Sequence, residues 1–356
     1  MSAPEGAVYD ALLLLSFGGP EGPDDVLPFL RRVVRGRGVP DERLAEVAEH
    51  YHHFGGVSPI NGQCRELLGA LRPVLDEAGI TLPLYWGNRN WTPYLADTLA
   101  RMRDDGVRRA LAFVTSPYGS YSSCRQYLED IEEARATVGP GAPAVDKVRH
   151  YHDHPGFVEP HVDAVRAALA HLPGVAPVRL IFTAHSIPST MDATSGPDGG
   201  RYSAQMTQTA SLVASAAAPE LAWDLVWQSR SGPPQVSWLS PDINDHLSVL
   251  AAEGVQGVVV SPIGFISDHL EVLWDLDTEA AGTAKQLGLG YVRAATPGTD
   301  PRFVAMVRDL VRERLDPSTP RVRLGSVPVW DVCPAGCCRR PARPPAAPPE
   351  PPLSVP

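Results

Sequence analysis

Three groups of side chains in this sequence are spaced for chemistry. The first is His185, which ends the apolar run VRLIFTAH and precedes SIP. A side chain placed there leaves a buried strand and enters whatever cleft lies beyond it. An imidazole titrating near neutrality can accept a proton there or ligate a metal, and capping the strand end is the structural alternative. The second group is Glu271, Asp275 and Glu279 in SPIGFISDHLEVLWDLDTEA, where a spacing of four lays three carboxylates near one helical face. Stacked like charges repel unless a cation compensates them. The interleaved Leu273, Trp274 and Leu276 point to a partly buried helix rather than a solvated acidic face. The pattern therefore allows an oxygen-lined path for a hard or borderline divalent cation. The third group is Cys333, Cys337 and Cys338 in VCPAGCC. Its C-x3-C-C spacing matches neither a C-x-x-C-H haem attachment nor the paired C-x2-4-C of a zinc site.

Aromatic residues beside glycines recur in YHHFGGVSPING, YWGNRNWTPY, SPYGSYSSCRQY and VWQSRSGP. Such loops suit a flat, apolar ligand with polar substituents, or an aromatic contact between lobes. The run RRVVRGRG, residues 31–38, could meet ligand carboxylates at a rim or be a solvated loop. No GxGxxG, P-loop or GxSxG pattern is present, which weakens dinucleotide, nucleotide triphosphate and serine-hydrolase readings.

The elements that must position these groups are legible as alternating patterns. ALLLLSFGGP, RALAFVTSPYGS, VRLIFTAHSIP, LVWQSRSGPP and VQGVVVSPIGF are short apolar runs closed by turn residues, as expected of strands buried on both faces. NGQCRELLGALRPVLDEAG, TPYLADTLARMRDDG, HVDAVRAALAHL and RFVAMVRDLVRERL lie among them with helical periodicity. Strand alternating with helix predicts an α/β fold with parallel sheets, in two lobes with a cleft between them. The first lobe is expected over 8–165 and the second over 175–299, with a helix at 300–316 crossing back to the first. A C-terminal cysteine arm follows over 317–340, and a proline-rich extended tail over 341–356. Ligands of such sheets sit beyond the carboxyl ends of the strands, which directs attention to residues 17–20, 115–127, 185–188, 228–232 and 262–271.

The chain has 356 residues and a formal net charge of -10. That size accommodates two lobes, and that sign argues against nucleic acid as a partner. No stretch reaches the roughly 18 apolar residues of a membrane span. The start lacks a basic leader, and the Ala11–Leu15 run is short for a signal core, so it is read as a first strand. A cytoplasmic location is expected, where thiols stay reduced and a disulfide framework loses weight.

Taken together and in order, LLLLSFGGP, FGGVSPIN, TAHSIP, LVWQSRSGP and SPIGFISDHLEVLWDLDTE resemble the ferrochelatases over about residues 8–315. The cysteine arm and SYSSCRQY resemble the actinobacterial type, which works on coproporphyrin III. The resemblance implies two Rossmann-like lobes and insertion of Fe2+ into a porphyrin with release of two protons. It implies His185 as proton acceptor and iron ligand, Glu271 as its partner across the macrocycle, and Asp275 and Glu279 as an acidic path on a π-helical distortion. Ser58, Tyr127 and Tyr51 fall where relatives contact the tetrapyrrole. Phe17 stands where related chains carry a tyrosine axial to the product iron, and a phenyl ring cannot ligate iron. Val34 stands where relatives carry a tetrapyrrole-contacting arginine, leaving Arg35 and Arg37 as substitutes.

Three clustered thiols need a fourth to close an all-cysteine site. Cys64 sits mid-helix, where a cysteine is usually a small buried apolar residue. Cys124 follows a strand and matches the remote ligand of ferrochelatases with a 2Fe–2S cluster, which the resemblance therefore implies here with Cys333, Cys337 and Cys338. Because adjacent cysteines meet one cluster only in demanding geometry, the alternative is that one of Cys337 and Cys338 is free. A protoporphyrin IX ferrochelatase, another tetrapyrrole chelatase and a non-catalytic porphyrin-binding module are the rival readings. A monomer is favoured over an oligomer.

Overall fold

The computed structural model describes residues 8–36, 38–232 and 235–341. Arg37 and the tail from 342 onward lie outside the described residues. Two four-stranded parallel sheets carry the fold. The first contains β1 (Ala11–Ser16), β2 (Leu84–Asn88), β3 (Arg109–Val114) and β4 (Ala144–Lys147) in the order β2-β1-β3-β4. The second contains β5 (Val178–His185), β6 (Trp223–Gln228), β7 (Gly257–Ser261) and β8 (Gly290–Arg293) in the order β6-β5-β7-β8. The same permuted order occurs twice, so each sheet brings the ends of its first and third strands side by side. This is the α/β architecture the alternating pattern predicts.

The two central strands of each sheet are covered on both faces by helices, which is why their sequences are nearly all apolar. Every residue of β1 and β7 is buried. The edge strands β4 and β8 are half-buried throughout, and their sequences, AVDK and GYVR, carry no apolar run to announce them.

The helix Pro155–Leu169 leads from one sheet to the other. Its Val158, Val162, Val165 and Ala168 share a core with Leu180, Phe182 and Val259 of the second sheet. The expected boundary at 165 therefore passes through a helix. The helix Pro301–Leu315 packs Phe303, Val307 and Leu310 against Leu67, Leu71 and Leu75 of the helix Pro59–Glu77. It also crosses Pro155–Leu169 so closely that a Cβ on Gly156 would lie 2.4 Å from the Arg302 carbonyl oxygen. An ion pair fixes the same region: Arg149 Nε and Nη2 donate to Glu313 at 2.7 and 2.8 Å, with both side chains almost wholly buried.

Between the sheets, Tyr118 after β3 donates to the Ile263 carbonyl after β7 at 2.8 Å, and Gly119 N–H donates to Gln205 Oε1 at 2.7 Å. The arm from residue 317 lies across both units. Arg323 donates twice to the buried Asp153 carboxylate, at 2.9 and 2.7 Å. Farther along, the Arg201 guanidinium sits 4.8 Å from the Trp330 ring, and Arg340 donates to Glu129 at 2.8 Å. Among the described residues, no helix is long and apolar enough to cross a membrane.

Removing one partner of the Arg149–Glu313 pair strands a buried charge, which costs about 3–5 kcal/mol. Glu313→Ala is expected to lower the urea-unfolding midpoint accordingly. The double variant Arg149→Met/Glu313→Leu is expected to recover most of that loss.

Candidate functional site

His185 is the last residue of β5 and is held from two sides. Its Nδ1 donates to the Ser186 carbonyl at 2.5 Å, and Tyr202 donates its hydroxyl to the His185 carbonyl at 2.9 Å. That fixes the ring with Nε2 toward Glu271, 3.5 Å from Oε1. Glu271 stands on the single turn Leu270–Val272 that follows β7, so the two side chains meet because β5 and β7 are neighbours. Both side chains stay partly open to solvent, 36 % and 41 % exposed.

The helix then widens into a π-helix over Leu273–Ala280, the distortion implied by the resemblance noted in the sequence. Asp275 on that segment accepts from Gln228 Nε2 at 3.3 Å and from the Ser229 hydroxyl, both at the end of β6. Ser229 adopts φ +59°, a left-handed conformation that costs a non-glycine residue roughly 1–2 kcal/mol. Strain of this kind collects at functional sites. No sequence signal identifies Ser229 beyond its place after a strand. Glu279 is exposed and accepts from Trp274 Nε1 at 2.9 Å. Trp274 in turn stacks on His50 with centroids 3.9 Å apart, which closes one side of the cleft against the helix Asp41–His53.

The electrostatics are set by crowding. Burial alone would lower the His185 pKa, but the Glu271 carboxylate outweighs it and lifts it to about 9. Burial would likewise raise Glu271, yet the charge and hydrogen bond of His185 hold it down at about 2. Asp275 is pushed up to about 7 by burial and then by the negative charge of Glu271. The site thus holds one ion pair and, next to it, a carboxyl group poised to exchange a proton near neutrality. Burial, then the charges of Glu271 and Asp275, raise the Tyr51 phenol.

The other residues singled out in the sequence lie on the first unit. Phe17, 36 % exposed after β1, meets Phe29 edge-on at 6.3 Å, and Phe29 reaches Tyr51 at 6.0 Å and Trp91 at 6.2 Å. The Arg89 guanidinium lies 5.6 Å from the Phe17 ring and 4.4 Å from the Tyr127 ring. Tyr127 is nearly enclosed beneath it, and Ser58 is buried against Gly19, where a Cβ would meet the Ser58 side chain at 2.6 Å. Arg35 is paired with Glu133 at 3.0 Å. The geometry therefore brings His185, Glu271 and Asp275 together, sets Glu279 at the outer end, packs Tyr51 with Phe29, and keeps Ser58 and Tyr127 deeper in the first unit. Arg89, absent from the sequence reading, is recognisable only once β2 and its neighbours are in place.

The thiols form a second centre. Cys124 sits in a π-helical turn, Tyr121–Arg125, and is 2 % exposed. Cys333 lies close enough to Cys124 and Cys337 to shift their titration and its own, and the Cys337 and Cys338 sulfurs are 3.6 Å apart. Gly196 N–H donates to Cys338 Sγ at 3.2 Å, and Lys147 Nζ donates to Cys124 Sγ at 3.1 Å. The Cys333 hydrogen bond, and after it Lys147 and His150, hold the Cys124 pKa well below its ordinary value against the effect of burial. All five cysteines are free, and Cys64 is buried apart from the others in the core of Pro59–Glu77. Among the described residues, no group of three or more His, Cys, Asp and Glu side chains is arranged as a ready metal site. The four sulfurs stand instead as a chain of neighbours, the right number and type of donors for four-thiolate ligation.

Residues 9–315 match the family model described as Ferrochelatase. The chain belongs to the ferrochelatase family. A coproporphyrin III ferrochelatase of Nocardia farcinica is 58 % identical over 349 residues, covering 95 % of this chain and 99 % of that one. One from Streptomyces griseus is 55 % identical over 360 residues, covering 96 % of each. SirB from Bacillus subtilis with Fe3+ aligns with 89 % of this chain and 100 % of its own at a TM-score of 0.51 and 13 % identity, a likeness of fold. As a ferrochelatase, the chain takes iron as the metal substrate of its reaction.

The pair has a definite pH signature. The raised His185 pKa adds stability that is complete below about 6.5 and lost as pH rises through about 9. The depressed Glu271 pKa adds stability that is present above about 4.5 and lost as pH falls through about 2. Both contributions are therefore whole between about 4.5 and 6.5. In a histidine-detected NMR titration, His185 is expected to titrate near 9 in the wild type. In Glu271→Gln it is expected to fall to or below the ordinary histidine range, because burial then dominates.

Proposed function

We propose that the chain inserts Fe2+ into coproporphyrin III in the cytoplasm, with His185 and Glu271 on opposite sides of the macrocycle. The observation that carries this reading is the 3.5 Å His185–Glu271 pair next to an Asp275 that exchanges its proton near neutrality. The coproporphyrin assignment draws on the relatives of that name at 51–58 % identity. One chain supplies both members of the pair and all four thiols, in keeping with a monomer, and the free cysteines are in keeping with a reducing compartment.

The chemical difficulty is that a planar tetrapyrrole hides its nitrogens and must lose two N–H protons. A macrocycle entering between His185 and Glu271 separates them. Without the adjacent carboxylate, burial governs His185, its proton leaves, and the neutral imidazole becomes a base for a pyrrole proton. The proton His185 gives up leaves to solvent from its own side. On the Glu271 side Asp275, about half ionised at neutral pH, takes the second pyrrole proton, and Glu279 continues the route toward solvent past Trp274. The same carboxylates suit Fe2+ approaching from that side. Phe17 offers a ring face to the macrocycle but no ligand to its iron, Tyr51 stands near the reacting nitrogens, and Ser58, Tyr127 and Arg35 bound the first-unit wall. A cleft complementary to a puckered rather than a flat ring lowers the barrier further.

Cys124, Cys333, Cys337 and Cys338 are assigned as ligands of a 2Fe–2S cluster. When bound, such a cluster supplies a one-electron centre and a cross-link between the arm and the first unit. The arm is already held at the turn that carries Cys124, where Arg340 donates to Tyr121 and Glu129.

Anaerobic Fe2+ insertion by the purified protein is expected with coproporphyrin III in preference to protoporphyrin IX. Insertion into neither would sink the enzyme reading, and preference for protoporphyrin IX would sink the substrate assignment. The visible absorption of the purified protein is expected to vanish in Cys124→Ser and to persist in Cys64→Ser. A colourless wild type containing zinc would contradict the cluster.

A further inference from the structure

The four thiols alone do not account for the surroundings of Cys124. Four thiolates around two ferric ions and two sulfides carry a net double negative charge, and one-electron reduction adds a third. Burying that charge next to Cys124, 2 % exposed, requires a cation or hydrogen bonds aimed at sulfur.

Lys147 meets the requirement. It is the last residue of β4, and its backbone is fixed by pairing with Ala112 of β3 and by Arg314, which donates to its carbonyl at 3.1 Å. From that anchored position its ammonium donates at 3.1 Å to Cys124 Sγ and at 3.1 Å to the Cys124 carbonyl. The chain contains 29 arginines and only two lysines, Lys147 and Lys285. In a protein so strongly biased toward arginine, a lysine at this contact fits the need for a compact charge. A planar guanidinium fork is shaped for two oxygens, whereas an ammonium can address one sulfur and one carbonyl together. Nearby cations are otherwise engaged: Arg340 with Tyr121 and Glu129, and Arg339 with the Gly336 carbonyl. His150 lies against Gly119, where a Cβ would stand 3.0 Å from its Cε1.

We infer that Lys147 is a positioning residue that holds the Cys124 sulfur in place and raises the reduction potential of the cluster. This inference rests on the cluster assignment made above. A fixed positive charge at one ligand stabilises the more negative, reduced state over the oxidised one. Removing it shifts the potential to more negative values, and a hydrogen-bond donor without charge replaces only part of the effect.

The test is an EPR-monitored redox titration of the full-length protein at one fixed pH, comparing wild type with Lys147→Met, Lys147→Gln and Lys147→Arg. The expected order of potentials is wild type, then Lys147→Arg, Lys147→Gln and Lys147→Met, the last being the most negative. Unchanged potentials in Lys147→Met and Lys147→Gln overturn the inference while leaving the cluster assignment intact. A wild type with no iron–sulfur signal overturns the assignment and the inference with it. Lys147→Met could also fold, by its unfolding midpoint, and hold no cluster. In that case retention of the cluster in Lys147→Arg supports the inference, and loss in that variant too contradicts it.

Discussion

Everything at the cleft depends on one ion pair that could not persist in isolation. An imidazolium and a carboxylate 3.5 Å apart hold each other charged against a surrounding that penalises charge on both. The pair exists because β5 and β7 are neighbours in a parallel sheet, so the residues at their carboxyl ends emerge side by side. Whatever separates the two side chains withdraws the support each gives the other. A site built this way keeps the proton on the histidine for as long as the two side chains stay together. Asp275 extends the same logic: burial first, and then the charge of Glu271 beside it, raise its carboxyl to about 7, where it exchanges its proton near neutrality.

The two π-helical segments serve both centres. Leu273–Ala280 carries Asp275 and Glu279, and Tyr121–Arg125 carries Cys124. A π-turn gives up regular packing for a shifted side-chain register, which is useful where a donor must reach a point that an α-helix would miss. The centres sit at the ends of different sheets, yet contacts link them. Tyr118, just before the Cys124 turn, donates to Ile263 ahead of Glu271, and Tyr202 holds the His185 backbone from the helix Arg201–Ala217. The arm crosses that helix on its way to Cys124, so the thiol centre is tied to the element that also supports the histidine.

Much of this was legible in the sequence where burial is two-sided. ALLLLS and GVVVS could hardly be anything but central strands, and both are wholly buried. The edge strands β4 and β8 were not legible, because half-exposed strands of four residues mix polar and apolar types without alternation. The transit helix was seen from His161 onward but begins at Pro155, with Pro160 inside a pattern that reads as broken. At the site, His185 and the carboxylates announced themselves by position and spacing. Ser229 and Arg89 did not, since one depends on a strained turn and the other on two aromatic rings brought in from distant segments. Lys147 was invisible for the same reason: its role arises from a contact between β4 and a turn 23 residues earlier.

The central claim is that His185 acts on the bound macrocycle as a base and ligand rather than as part of its binding surface. The most direct measurement separates the two steps in His185→Gln, with coproporphyrin III binding followed by fluorescence quenching and metal insertion by single-turnover absorbance. The account predicts binding close to that of the wild type and insertion slowed by roughly 10²–10⁴-fold, the range for loss of a positioned base. Insertion at the wild-type rate would contradict it.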